Sequence, residues 1–166
     1  MRRLAIAMGF PVADHPLDAV QSYRDRMTTH KPIPPRVVKT GPVLENVLRD
    51  GQIDVLKFPV PFLHELDGGR YLGTDDIVIM RDPEENWVNC GTYRVMVHDA
   101  RRLGLWISPG KQGRQIREKY FRQGKPCPVL VSCGHDPLLF LAGGNELRFG
   151  LSEFDYAGGH RGQPIE

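Results

Sequence analysis

The chain has 166 residues, of which 40% are hydrophobic and 25% charged, and its formal net charge is only +2. This length and composition are typical of one globular domain, and so small a net charge argues against nonspecific nucleic-acid binding. The 18 glycines and 14 prolines predict many turns but fall short of the proportion found in disordered chains. No apolar run reaches membrane-spanning length, so we expect neither a nucleic-acid nor a membrane partner.

The N-terminus and the cysteines indicate where the protein works. Residues 1–16 contain two arginines and a short apolar stretch, which Gly9 interrupts too early for a signal peptide. Cys90, Cys127 and Cys133 are an odd number at irregular spacing, as expected in a reducing compartment. No Cys-x-x-Cys pair occurs, which disfavours a zinc site. We therefore predict a cytoplasmic protein.

Two amphipathic helices are predicted in the first third of the chain. Apolar residues at spacings of three and four predict a helix from His15 to His30, with Pro16 in its first turn. A second, short helix is predicted from Thr40 to Arg49, where Pro42 stands near the start and Gly51 just past the end. Both helices are expected to serve as scaffold.

From Ile53 onward the period changes to that of strands and turns. The pattern predicts strands at residues 53–60, 77–80, 87–97, 105–107 and 128–133. The second and third should form a hairpin, and the last is a continuous apolar run of the kind buried on both faces. Helices are predicted at 111–123 and from Asp136 to Gly143, and a capping box at Ser152 puts Glu153 in the first turn of another.

The order of these elements bears on the fold. Strands and helices interleave without a strict βαβ rhythm, and no Gly-x-Gly-x-x-Gly motif follows a strand. An α+β architecture with a split β-barrel core and flanking helices therefore fits better than a doubly wound parallel sheet. We divide the chain into an N-terminal, largely helical lead-in at residues 1–50 and a main domain at residues 51–166.

The segment 89–94, with the sequence NCGTYR, places polar residues inside an apolar strand pattern. Asn89, Thr92 and Arg94 interrupt a β-branched run, and polar groups that are buried there require hydrogen-bond partners. A ligand or internal partners would satisfy them, and an edge strand with solvated polar side chains is the alternative. Strict alternation puts Asn89 and Arg94 on opposite faces unless Gly91 forms a bulge.

Together with its flanking segments, this stretch resembles the UbiD family of decarboxylases, which act on aromatic and conjugated carboxylic acids. Five motifs carry the similarity in chain order: HELDGGRYLGTDDIVIMRDPEENW, NCGTYR, SPGKQGRQI, GHDP and GLSEFDYAGGHRGQPIE. They run from about Leu56 to Glu166. The resemblance implies that residues 51–166 form a flavin-binding split barrel that holds prenylated FMN, a divalent metal (manganese or magnesium) and, in many members, potassium.

The resemblance also implies roles for particular residues. Asn89 and Glu153 would ligate the metal that bridges to the cofactor phosphate, and Arg94 would be the catalytic residue that faces the reacting carboxylate. Gln112 stands where the family usually has a histidine ligand, and it is either a third ligand or a residue of the helix surface. An amide oxygen in place of imidazole favours magnesium or calcium over transition metals. The cofactor-binding residues implied by the resemblance are Asn89, Cys90, Gly91, Thr92, Tyr93, Arg94, Lys111, Gln112 and Glu153.

Members of the family are much longer than this chain, and the acidic residues that act with the arginine lie in a C-terminal domain that would follow Glu166. The resemblance therefore implies the cofactor-binding part of a (de)carboxylase of aromatic or α,β-unsaturated acids, either a fragment or a small subunit. Such a part would complete its site with a partner polypeptide or a second copy. The alternative is a flavin-binding or assembly module without turnover, and a third possibility is a structural domain that has lost the ligand.

Overall fold

Two three-stranded antiparallel sheets and five α-helices make up residues 2–166, the part of the chain that the computed structural model describes. The helices are α1 (Arg2–Ala7), α2 (Pro16–Thr29), α3 (Gln112–Arg122), α4 (Pro137–Gly143) and α5 (Glu153–Arg161). The strands are β1 (Tyr71–Gly73), β2 (Ile77–Arg81), β3 (Val88–Gly91), β4 (Arg94–Val97), β5 (Leu103–Trp106) and β6 (Leu130–Ser132). This arrangement confirms the predicted α+β class, and the sheets do not close into a barrel within residues 2–166.

The two sheets have the strand orders β1-β4-β5 and β3-β2-β6. In the second sheet, Ile79 of β2 lies opposite Cys90 of β3 on one side and Leu130 of β6 on the other. The hairpin predicted for β2 and β3 is confirmed. The prediction that the strand at 128–133 is buried on both faces is wrong, because β6 pairs only with β2 at the sheet edge and Leu130 is 55% exposed.

The single strand predicted at 87–97 is also wrong, since the chain forms two strands there. β3 ends at Gly91 and β4 begins at Arg94, so the backbone passes from one sheet to the other across Thr92 and Tyr93. The Tyr93 ring folds back over Gly91, where a Cβ atom would lie only 2.6 Å from the Tyr93 hydroxyl. The glycine thus leaves room for the side chain that accompanies the change of sheet.

Four of the five helices confirm the predictions for their positions. The side chains of His15, Asp136 and Ser152 accept hydrogen bonds from backbone N–H groups at the first turns of α2, α4 and α5. Glu153 is the first residue of α5, as predicted. Helix α1 was not predicted, because six residues are too few for an apolar period to register.

The helix predicted at 40–49 and the strand predicted at 53–60 are wrong. Three single turns of 3-10 helix stand in this region, at Pro42–Leu44, Asp50–Gln52 and Val55–Lys57. The apolar side chains of the segment are largely exposed, with Val43 84% accessible. A short helix is stable mainly when its apolar face is packed, and this segment lacks such packing within residues 2–166.

Strand β2 forms the wall between two apolar clusters. Ile77 packs into a cluster with residues of α1, α4 and α5, whereas Val78 and Met80 pack into a second cluster with Ile116 of α3. Successive side chains of a strand point to opposite faces, so β2 serves both clusters. The starts of α3 and α5 are thereby held against β3. No helix within residues 2–166 has both the length and the apolar character needed to cross a membrane.

Candidate functional site

A cleft of about 370 Å³ opens where β3, the start of α3, the end of α4 and the start of α5 meet. Each of three elements contributes one polar side chain to it. Asn89 comes from β3, Gln112 is the first residue of α3, and Glu153 is the first residue of α5. Two helices therefore begin at the cleft, and the N-terminus of a helix favours negatively charged groups.

The side chains of Asn89, Gln112 and Glu153, predicted as metal ligands, are linked by hydrogen bonds. Asn89 Nδ2 donates to Gln112 Oε1 at 3.1 Å and to Glu153 Oε1 at 3.5 Å. Two backbone groups hold the other ends, because Gln112 Nε2 donates to the Leu147 carbonyl at 2.7 Å and the Cys90 N–H donates to Glu153 Oε2 at 2.7 Å. We refer to these three side chains as the oxygen triad.

Two members of the oxygen triad are buried, Gln112 is half-buried, and one oxygen of the triad has no partner within residues 2–166. Asn89 and Glu153 are 3% and 2% exposed, and Asn89 Oδ1 has no hydrogen-bond partner among residues 2–166. Burial raises the pKa of Glu153 to about 7, although the Cys90 N–H opposes the shift. An unpartnered buried oxygen is costly, so the donor set fits a cation that would take up both Asn89 Oδ1 and the Glu153 charge.

The chemical composition of the oxygen triad limits what it can bind. Residues 2–166 contain no group of three His, Cys, Asp or Glu side chains that could hold a metal ion. The triad has one carboxylate and two amides, and carboxylate and carbonyl oxygens are the ligands of hard cations such as magnesium, calcium and manganese.

Three further residues of the predicted site have clear structural surroundings. Burial raises the pKa of the Cys90 thiol to about 12, so its surroundings favour the thiol over the thiolate. Burial also raises the pKa of Tyr93, and its hydroxyl lies where a Cβ on Gly113 would be only 2.9 Å away. Lys111 stands immediately before α3 at the cleft and forms an ion pair with Glu146.

Arg94 is the one predicted site residue that does not line this cleft. It is the first residue of β4 and lies opposite Trp106 of β5 in the other sheet. Its guanidinium carbon lies 5.8 Å from the centroid of the Tyr71 ring, and it forms no ion pair within the described range, residues 2–166. The Arg94 side chain is exposed.

The sequence interpretation missed the wall of the cleft formed by residues 143–149. Gly143 and Gly144 were read only as the end of a helix, yet a Cβ on Gly143 would lie 3.2 Å from the Cys90 carbonyl oxygen. Leu147 supplies the carbonyl that holds Gln112. A glycine pair at the end of an apolar helix is the signal that would have indicated this close approach.

Comparison with known proteins identifies related sequences. Residues 36–166 match the UbiD family model, described as a 3-octaprenyl-4-hydroxybenzoate carboxy-lyase Rift-related domain. The chain is 39% identical over 164 residues to the pyrrole-2-carboxylic acid decarboxylase of Pseudomonas aeruginosa, covering 99% of this chain and 33% of that protein. It is 32% identical over 140 residues to ferulic acid decarboxylase 1 of Saccharomyces cerevisiae, covering 81% of this chain and 28% of that protein.

Solved structures of related enzymes share the fold. An evolved dimeric form of the UbiD-class enzyme HmfF from Pelotomaculum thermopropionicum, in complex with prenylated FMN, superposes with a TM-score of 0.84 at 31% identity, over 98% of this chain and 37% of that one. Sedimentibacter hydroxybenzoicus vanillic acid decarboxylase in its closed form gives 0.89 at 28% identity, over 99% and 36%. The chain thus spans about a third of the length of these relatives. Because the family model covers most of its residues, the chain belongs to the UbiD family.

Proposed function

We propose that this chain is the cofactor-binding part of a UbiD-type decarboxylase that acts on an aromatic or α,β-unsaturated carboxylic acid. The observation that carries the proposal is the convergence of Asn89, Gln112 and Glu153 at one cleft, with a buried amide oxygen left unpartnered. The names of the relatives, which include decarboxylases of pyrrole-2-carboxylic and ferulic acids, support the substrate class.

Prenylated FMN is the proposed cofactor, and its phosphate would lie at the cleft. The N-termini of α3 and α5, together with Lys111, supply the positive potential that a phosphate requires. When bound, the cofactor supplies the electron sink that loss of carbon dioxide needs. The binding core would be a split β-barrel with the two three-stranded sheets as its halves, within a chain that we divide at residues 1–50 and 51–166.

The oxygen triad would hold the divalent metal, manganese or magnesium, that links the protein to the cofactor phosphate. Asn89 Oδ1 is the atom that gains most, since it has no partner within the described part of the chain. The charge of Glu153 is offset by the ion, which lowers the cost of burying that carboxylate. Potassium is a further proposed ion, with no residue of this chain assigned to it.

Arg94 is the proposed catalytic residue that binds the substrate carboxylate. Its guanidinium contacts the Tyr71 ring and has no acidic partner in the described residues, which leaves its N–H donors available for a bidentate bond to a carboxylate. A second candidate function is a flavin-binding or assembly module without turnover. It is favoured because, within residues 2–166, no acidic side chain forms an ion pair with Arg94.

A partner polypeptide, or a second copy of the chain, would complete the active site. The chain corresponds to about a third of its relatives, and many large apolar side chains between residues 37 and 66 are exposed, as expected for a surface that another polypeptide covers. The proposed location is the cytoplasm, which the three free cysteines support.

The test is retention of the cofactor by wild-type protein and by Asn89→Ala. Purified protein is reconstituted with prenylated FMN and manganese or magnesium, desalted, and analysed by absorbance and mass spectrometry. We expect wild-type protein to retain the cofactor and Asn89→Ala to lose at least about nine-tenths of it, because removal of one metal ligand or its support weakens such sites 10- to 100-fold.

Asn145→Ala is the matched control, since Asn145 lines the same cleft outside the oxygen triad, and it should retain the cofactor. Equal retention by wild type and Asn89→Ala would contradict the proposed site. Carbon dioxide release from pyrrole-2-carboxylate is then measured for the chain alone and with a polypeptide equivalent to the part of the relatives that this chain does not match. Cofactor retention without release in either case would favour the module without turnover.

A further inference from the structure

The amide of Gln112 is held in one orientation. Its Nε2 donates to the Leu147 carbonyl at 2.7 Å, and its Oε1 accepts from Asn89 Nδ2 at 3.1 Å. Because the nitrogen already has a backbone acceptor, the oxygen is the atom that faces Asn89. Gln112 begins α3, and the next residue, Gly113, packs beneath the Tyr93 hydroxyl. The backbone that carries this oxygen is therefore fixed at its first turn.

The amide of Asn89 presents its nitrogen, and not its oxygen, to the other two side chains of the oxygen triad. Its Nδ2 lies between two oxygens, Gln112 Oε1 and Glu153 Oε1, while its own Oδ1 has no partner within the described chain. An N–H donor would repel a cation bound to these two oxygens, whereas an oxygen in its place would be a further ligand. A half-turn of the amide exchanges Nδ2 and Oδ1, after which three oxygens, from Asn89, Gln112 and Glu153, face the same point.

We propose that Gln112 determines the metal preference of this site by making its protein ligands oxygen-only, and that the Asn89 amide turns to present Oδ1 when the ion binds. The proposal rests on the proposed function, because it concerns the same cleft. Magnesium, calcium and manganese suit carbonyl and carboxylate oxygens, whereas zinc and nickel gain most from imidazole nitrogen. The oxygen triad thus withholds the ligand type that would favour zinc and nickel.

Metal titration of wild type and Gln112→His tests the preference. Nickel and magnesium affinities are measured by calorimetry on the full chain in the presence of FMN, which supplies a phosphate without turnover. We expect Gln112→His to raise nickel affinity at least about tenfold and to leave magnesium affinity unchanged or lower, since the imidazole replaces an oxygen ligand. Gln115→His is the matched control: Gln115 lines the same cleft, but its Nε2 donates to the Gly110 carbonyl, so the ratio should not change.

The outcomes separate the two proposals. If wild-type protein binds magnesium and Gln112→His leaves the ratio of nickel to magnesium affinity unchanged, the role of Gln112 is wrong while the metal site stands. If wild-type protein binds neither ion at millimolar concentration, the metal site of the proposed function is wrong as well. An equal rise in nickel affinity in Gln112→His and Gln115→His would also overturn the inference, because it would show chelation by any added histidine.

The turn of the Asn89 amide has its own spectroscopic signature. In ¹⁵N-labelled protein, the Asn89 side-chain NH₂ protons should lose their close contacts with Gln112 and Glu153 when magnesium is added with FMN. The Asn145 NH₂ group is the internal reference and should keep its contacts. Retention of the Asn89 contacts at saturating magnesium would show that Oδ1 does not turn toward the ion.

Discussion

The proposed metal-binding role of Glu153 requires a buried charge, and that charge lowers the stability of the folded protein. Its carboxylate is almost fully buried, and burial raises its pKa to about 7. The folded protein therefore holds the charged form at a cost that begins above the unfolded pKa of 4.5 and is complete above about 7. Residues kept charged in a buried site for ligand binding commonly reduce stability in this way.

We expect Glu153→Gln to raise the free energy of unfolding at pH 8 and to abolish cofactor retention. The glutamine oxygen can still accept from the Cys90 N–H, and the gain should be about 1–3 kcal/mol, since each pKa unit corresponds to about 1.4 kcal/mol. The gain should disappear below pH 4.5, where wild-type Glu153 is neutral in both states. Chemical denaturation at pH 4 and pH 8 measures this difference.

Glu146→Gln is the comparison, because Glu146 is exposed at the same cleft and its charge carries little burial cost. A loss of stability in Glu153→Gln at pH 8 would show that the carboxylate is stabilised by its surroundings. In that case the pKa of Glu153 would lie below the value that burial gives.

At the scale of single residues, the sequence pattern singled out residues that lie together in the structure, while their role as a site stays a prediction. Eight of the nine predicted cofactor-binding residues line the cleft, and Arg94 does not. Arg94 lies elsewhere because the chain changes sheet after Gly91, which alternation along one strand could not indicate. The raised pKa of Glu153 and the lack of a partner for Asn89 Oδ1 within residues 2–166 depend on burial by three separate elements, so residue types alone could not predict them.

At the scale of elements, α5 lies in direct contact with the backbone of residues 31–33. A Cβ atom on Gly158 would overlap the Ile33 carbonyl oxygen, and one on Gly159 would overlap the Lys31 carbonyl oxygen. The extended segment beside the helix is also tied to it, because the Ile33 N–H donates to the Asp155 carbonyl at 2.9 Å. The two glycines thus let the backbone of residues 31–33 lie directly on the helix that begins with Glu153.

We expect Gly158→Ala to lower the free energy of unfolding by about 2 kcal/mol or more, the range found when a side chain is forced into packed backbone. Because α5 must shift to relieve the overlap, cofactor retention should fall as well. Gly144→Ala is the control: Gly144 is the C-cap glycine of α4, and its nearest neighbours would lie 3.5 Å from the new Cβ. Thermal unfolding of the two variants side by side measures the difference, and equal midpoints would contradict the close approach.

The predictability of elements followed their caps and their burial. Helices with a capping side chain or a proline at the first turn, such as α2 and α4, were predicted correctly. The helix predicted at 40–49 does not form. Apolar spacing predicts a helix only where the apolar face is buried, and residues such as Val43 and Leu44 are exposed. The division of 87–97 into β3 and β4 depends on Tyr93 folding over Gly91, a contact without a periodic signal.

For the whole molecule, the most consequential surface is the apolar segment 37–66. Val37 and Leu66 are 95% and 94% exposed, and the backbone of the segment has few ties to the sheets, among them the Tyr71 N–H of β1 donating to the Pro61 carbonyl at 3.3 Å. Exposed apolar surface on this scale favours association. The exposed surface of the segment 37–66 is therefore the one that we propose another polypeptide covers.

We expect the triple variant Val37→Ser, Val43→Ser, Leu66→Ser to weaken self-association without lowering the thermal midpoint of unfolding, because exposed side chains contribute little to the stability of the fold. Sedimentation velocity over a tenfold range of protein concentration measures association. The control replaces Leu4, Ile6 and Leu17 with serine, which are exposed apolar residues outside the segment. Equal effects of the two variants would show that association is nonspecific.

The change of sheet across Thr92 and Tyr93 separates two proposed roles within the six residues from Asn89 to Arg94. Asn89 belongs to the sheet of β3, β2 and β6, whereas Arg94 belongs to the sheet of β1, β4 and β5. The tilt of one sheet on the other therefore sets the distance between the proposed metal ligand and the proposed carboxylate-binding group, while every hydrogen bond within each sheet stays intact. Only Thr92 and Tyr93 connect the strand that carries Asn89 to the strand that begins with Arg94.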